Sequence, residues 1–206
     1  MSELLAAFIF FFAVIDPIGT VPVFIAVTRG DDAKFKRKVA LKAVGVSALV
    51  LLFFVLAGEV LLNAINIPLS AFQIAGGIVL LLFALSMIFG ESKPETEIKS
   101  VRNSTETAIF PLAIPSIASP GAMLAAVLMT RNTEYTWYEQ LITSSIMLSV
   151  LVIVLLLLLL ATHVHKLIGD SGASIISRVM GLILSSVAVN NILGGIAHYF
   201  GLSVVA

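Results

Sequence analysis

The feature that most limits what this chain can become is a proline-broken apolar segment that occurs twice, once in each half. The first copy runs Phe11-Phe12-Ala13-Val14-Ile15-Asp16-Pro17-Ile18-Gly19-Thr20-Val21-Pro22. The second runs Pro111-Leu112-Ala113-Ile114-Pro115-Ser116-Ile117-Ala118-Ser119-Pro120-Gly121-Ala122. Each is apolar enough to enter a bilayer, yet each carries Pro, Gly and a capping residue where a continuous helix would place none. Hydrophobic segments interrupted at matching positions of two halves point to a transporter's binding site.

Composition puts the chain in the membrane class. Of its 206 residues 59% are apolar and 12% charged, about half the charge of a soluble domain, where roughly 25% is usual. The length suits about six spans of roughly 20 residues. Six apolar windows can be drawn, at 4–27, 40–62, 71–90, 108–130, 140–161 and 176–203. The chain has no cysteine, which excludes disulfides, thiol chemistry and Cys-based metal sites. A net charge of zero supplies no general attraction to nucleic acid. The first window lacks a positive n-region and is interrupted by Asp16-Pro17, so it is expected to stay as a helix rather than leave as a signal peptide.

The basic residues are unevenly placed. Arg29, Lys34, Lys36, Arg37, Lys38 and Lys42 follow window 1, Lys93, Lys99 and Arg102 lie in the polar midpoint, and Lys166 and Arg178 flank the start of window 6. Only Arg131 falls on the other side. By the positive-inside rule the basic loops face the cytoplasm and both termini face outward. Trp137, Tyr135, Tyr138 and Tyr199 then mark an outer interfacial belt.

Aligning the halves on their breaks matches Gly19 and Thr28-Arg29 with Gly121 and Thr130-Arg131, and the spacing of Gly76 and Gly90 recurs at Gly181 and Gly195. The expected fold is an all-α membrane protein of six transmembrane helices. They form two inverted three-helix repeats, 1–90 and 108–206, joined by a cytoplasmic linker at 91–107, with helices 1 and 4 broken near the midplane.

Asp16 is the one ionisable residue deep in any window, where translocon-based scales put its cost at about +2.5 to +3.5 kcal/mol. As an N-cap with Pro17 at N1 it would accept freed backbone N–H bonds, and in a water-accessible cavity it could carry a proton or hold an ammonium group. Ser119-Pro120-Gly121 repeats the capping pattern with a neutral residue. A buried half-helix N-terminus is an anion site, so one acidic and one neutral break together suit a zwitterion. Its carboxylate would lie near Ser119, Pro120, Gly121 and Ala122, and its ammonium near Asp16, Pro17, Gly19 and Thr20. Asn190 and Asn191 are candidate cavity amides, with Gln73 a weaker one. Gly76, Gly77 and Gly181 suit close helix approach, and Glu59 a solvated helix end. His163 and His165 do not share a helical face and have no third ligand nearby, so no metal site is expected. No catalytic motif or cofactor fingerprint appears, so the chain is not expected to be an enzyme.

At Asp16-Pro17-Ile18-Gly19-Thr20-Val21-Pro22, Ala75-Gly76-Gly77-Ile78, Pro111-Leu112-Ala113-Ile114-Pro115, Ser119-Pro120-Gly121-Ala122 and Val179-Met180-Gly181-Leu182-Ile183-Leu184 the chain resembles the MarC family of prokaryotic integral membrane proteins. The resemblance covers nearly the whole length. It implies a six-helix inner-membrane protein related to the LysE-type exporters and to the SnatA-type carriers, which move small neutral amino acids such as glycine and alanine. Departures fall at Ser119, where members often have Gly, at Leu124-Ala125, where they often have hydroxyls, and at Asn190 and Gly194, where many have Gln and Asp. A homo-oligomer is compatible with this reading. The alternative is a non-transporting scaffold or accessory subunit that uses its small-residue faces to bind a partner.

Overall fold

The computed structural model describes residues 2–28, 30–89, 112–132 and 134–202. Arg29, the expected linker at 91–107 with Lys93, Lys99 and Arg102, and residues 90, 108–111 and 203 of the expected windows lie outside the described residues. Every regular element among the described residues is helical: α1 Ser2–Ile15, α2 Thr20–Val27, α3 Ala33–Ala64, α4 Leu69–Phe89, a wide turn Leu112–Ile117, α5 Pro120–Leu128, α6 Trp137–Leu159 and α7 Ala161–Tyr199.

Five stretches are long and apolar enough to cross a bilayer: Leu4–Val27, Ala33–Ala64, Leu69–Phe89, Trp137–Leu159 and Ser174–Tyr199. The first joins α1 and α2 across the Asp16 break. Their outward faces are apolar. On α3, Leu49, Phe53, Leu56 and Val60 are exposed, while Ala43, Ser47, Leu51 and Gly58 are buried. Large apolar side chains left on the outside are what a lipid solvent permits, because lipid does not drive them inward.

Several ends form for reasons visible in the sequence. Asn66 takes the left-handed conformation (φ 55°) after α3. Its N–H donates to Asn63 O and that of Ile67 to Leu62 O, a Schellman closure that Asn can adopt. Ser70 does not cap α4 as its type suggests, because the helix already begins at Leu69 behind Pro68. Thr136 and Glu139 form a reciprocal capping box at the start of α6. The expected sixth window began at 176, whereas α7 runs from Ala161, turning at Gly169 (φ 68°, ψ 175°). His163 therefore sits on the first turn of α7, exposed, rather than at the end of the preceding helix.

The tightest packing joins α4 to α7. A Cβ added at Gly181 would lie 2.9 Å from Ala84 O, one at Gly77 3.1 Å from Ala188 O, and one at Gly195 3.0 Å from Ser70 O. The pairs Ser70–Gly195, Gly77–Ala188 and Ala84–Gly181 advance by seven residues on each helix in opposite directions. A seven-residue repeat keeps such a seam facing its partner in a left-handed crossing. Gly77 fills this seam; its neighbour Gly76 faces Leu124 of α5 instead.

Candidate functional site

Near the middle of the molecule the two breaks meet. Pro17 has no N–H, so α1 stops at Ile15 and Asp16 turns into the left-handed region at φ 49°, a conformation that short polar side chains tolerate. The Asp16 carboxylate then accepts the Gly19 N–H at 3.0 Å through Oδ1, while the Thr20 hydroxyl donates to Asp16 O at 2.9 Å. One turn over Pro17–Gly19 leads into α2, whose first residue is Thr20. The N-capping expected of Asp16 is thus made through the third amide along, in a left-handed rather than an extended backbone.

The second break is wider. Pro115 drives the residue before it out of the helical region, and Ile114 is extended at φ −135° and ψ 122°. The Ala118 N–H reaches back five residues to Ala113 O at 2.9 Å. Ser47 on α3 adds a hydroxyl bond of 3.2 Å to that same carbonyl. Ser119, extended at ψ 157°, then caps α5 by accepting the Ala122 N–H at 3.1 Å, with Pro120 in the first turn.

A hydrogen bond ties the breaks together: the Ser119 hydroxyl donates to Val14 O at 3.2 Å. A Cβ at Gly121 would meet Val14 Cγ1 at 3.0 Å, so the two breaks are also in direct apolar contact. Behind Asp16, the Ser177 hydroxyl of α7 donates to Oδ2 at 3.4 Å. Gly19 has to lack a side chain here, because a Cβ would fall onto the Asp16 carboxylate and 2.8 Å from Ser177 Oγ. Asp16, Pro17, Thr20, Ser119, Gly121 and Ala122 are buried, and Gly19 is half-buried. The buried start of α5 therefore meets the last turn of α1, and α2 starts four residues beyond Asp16, so each short helix begins near the breaks with the positive end of its dipole there.

Not every expected site residue reaches this junction. Pro120 is exposed. Asn190 is exposed and Asn191 half-buried on α7, 13 and 14 residues beyond Ser177, which at 1.5 Å per residue is about 20 Å along the helix. Gln73 lies beside Gly194, 3.4 Å from where a Cβ would stand. Glu59 is not merely solvated: it accepts the Asn132 N–H at 2.6 Å and ties the end of α3 to the loop after α5. Arg131 in that loop pairs with Glu134. Trp137, Tyr138 and Tyr199 are exposed, as interfacial aromatics are. Among the described residues no group of His, Asp and Glu has the makings of a metal site. The sequence reading missed Ser177 and Ser47, polar residues lying one turn from a packing glycine and amid small residues, respectively.

Losing the Ser119 hydroxyl removes a cap and a polar link between the breaks. Ser119→Ala is expected to cost about 1–2 kcal/mol, read as a lowered melting temperature in detergent. Ser145→Ala, which removes an exposed hydroxyl bonded only to its own helix, is the control. Equal losses in the two variants would mean that the link contributes nothing.

Helices with apolar outer faces, small-residue seams and a paired break in the middle define a multi-pass integral membrane protein. The profile of the MarC family of integral membrane proteins matches residues 1–200, and the chain belongs to that family. It is 39% identical over 199 residues to a UPF0056 membrane protein of Methanocaldococcus jannaschii, covering 95% of this chain and 97% of the relative. It is 32% identical over 204 residues to one from Buchnera aphidicola subsp. Acyrthosiphon pisum, covering 97% and 99%. It is also 29% identical over 201 residues to one from Archaeoglobus fulgidus, covering 96% and 94%. Relatives thus occur in bacteria and archaea, and no solved structure matches the chain.

Proposed function

We propose that this protein is a secondary transporter for a small zwitterionic solute such as glycine or alanine, and not an enzyme. The observation that carries the reading is the Ser119–Val14 hydrogen bond, which joins the N-cap of α5 to the last turn of α1, two residues before Asp16, and so brings the two breaks together. An ammonium would take the place beside Asp16 and Ser177, and a carboxylate the one beside the Ser119, Gly121 and Ala122 amides. Asp16 is the proton-coupling candidate.

In this reading the protein is an alternating-access carrier of six spans in two inverted repeats, set in the prokaryotic inner membrane with both termini outside. Ser70, Gly77 and Ala84 recur 104 positions later as Ser174, Gly181 and Ala188, one residue out of the register that pairs Gly76 with Gly181. Thr28 and Thr130, matched by the repeat, make the same hydroxyl bond four residues back, to Phe24 O and Ala126 O. The packing crosses over: α2 lies on α7 and α5 lies on α4. The scaffold alternative loses its best surface, because the small residues of α4 and α7 are engaged with each other. Whether copies of the chain associate is open to the same preparation by size and mass.

The test is a thermal-shift series on the purified protein with amino acids, followed by counterflow in vesicles. A ligand at about 100 times its Kd stabilises the folded state by about 2.7 kcal/mol. Glycine or alanine is expected to raise the melting temperature and to exchange across vesicles. A flat response to every solute, with no counterflow, would overturn the reading in favour of the scaffold.

A further inference from the structure

One to two turns along α2 from Thr20, a cavity of about 370 Å³ opens between the end of α2, the first turns of α3 and the meeting of α6 with α7. That volume is at the low end of small-ligand pockets, which run from about 300 to 1,000 Å³. Phe24, Ile25, Leu158 and Leu159 line it, together with Lys36 and Arg37. Leu159 is 44% exposed on the outer face, whereas Phe24 and Leu158 are buried, so the cavity leads inward from the lipid side.

Two properties have to be matched by one occupant. Among the described residues no carboxylate lines the cavity, and neither Lys36 nor Arg37 is ion-paired, so both carry charge not offset by acidic partners there. Lys34, Lys38 and Lys42 add to the same field, against Asp31 and Asp32, of which Asp32 caps α3 through the Phe35 N–H. A small free anion would satisfy the cations and leave the apolar walls bare. A neutral acyl chain would satisfy the walls and leave the cations unused. We infer that this cavity is a binding site for an anionic phospholipid of the leaflet facing the basic loops, its phosphate between Lys36 and Arg37 and its first methylenes against Phe24, Ile25, Leu158 and Leu159. Basic pockets between helices at a membrane surface recognise headgroups in this way, each cation strengthening the attraction to an anionic surface.

The test measures lipid binding to the purified full chain by native mass spectrometry and by melting temperature in detergent. Phosphatidylglycerol is expected to bind and to raise the melting temperature, while phosphatidylcholine and inorganic phosphate at equal concentration do neither. Replacing Lys36→Gln with Arg37→Gln should weaken phosphatidylglycerol binding about thirtyfold, roughly fivefold for each cation. Lys34→Gln with Lys38→Gln removes the same charge from the same helix without touching the cavity, and should weaken it far less. Equal binding of phosphatidylcholine would overturn the site's charge recognition, and equal stabilisation by inorganic phosphate its lipid occupant. Equal loss in the two double variants would leave only diffuse attraction and overturn the site. The wild-type comparison of the three probes decides the matter even if a variant does not fold.

Discussion

Gly181→Leu is expected to leave no stable folded protein, and Gly181→Ala to lower stability by about 1–3 kcal/mol. A Cβ at this position would stand 2.9 Å from a backbone carbonyl, Ala84 O, and 3.0 Å from both Ile88 Cγ1 and Met87 Cβ. Backbone cannot rotate away as a side chain can, so α4 and α7 must separate along the seam that also holds Gly77–Ala188 and Ser70–Gly195. Gly45 on α3 is the counter-case. Nothing lies within 4 Å of its added Cβ, so Gly45→Ala should gain about 0.5–1 kcal/mol from helix propensity alone. Melting temperature and monodispersity on size exclusion read both effects. If Gly181→Leu melted like the parent, the close approach of α4 and α7 would not be what holds these helices together.

The seam also shows where reading a sequence reaches its limit. The glycine pattern announced a close approach, but Gly76 and Gly77 are adjacent and differ by about 100° around the helix, and only the partner decides which one faces it. In the structure Gly77 meets α7 and Gly76 meets Leu124. The breaks were far more legible, because their causes are local: Pro17 and Pro115 act on their immediate neighbours, and Ser119-Pro120-Gly121 is a cap by composition. Ser177 and Ser47 were not legible. Their partners Asp16 and Ala113 lie 161 and 66 residues away in the chain, and no local preference encodes such a pairing. The length of α7 was hidden for a different reason. Hydropathy finds the part of a helix that lipid covers, and the stretch from Ala161 to Ala173 is mixed in polarity yet helical, apart from the turn at Gly169.

Asp16 supplies the second large effect, because its backbone and its carboxylate make separable demands. Asp16→Val is expected to cost about 2–5 kcal/mol. A branched side chain at φ 49° loses about 1–2 kcal/mol in the left-handed region, and the Gly19 N–H and Ser177 hydroxyl lose an acceptor, at about 1–3 kcal/mol. Relief from burying a carboxylate does not cancel this, since an unfolded chain kept in the membrane carries the same group in the same lipid. Asp16→Asn keeps an oxygen for the Gly19 N–H and a residue type at home in the left-handed region, so its cost should stay below about 1 kcal/mol. The two variants therefore part company in melting temperature. If they fell equally, the carboxylate charge rather than the backbone and the cap would be what matters for folding. Transport separates the remaining role: should Asp16 carry the coupled proton, Asp16→Asn would fold normally and lose the pH dependence of glycine uptake in vesicles. Uptake that still followed pH in that variant would move proton coupling to another residue while leaving the cap intact.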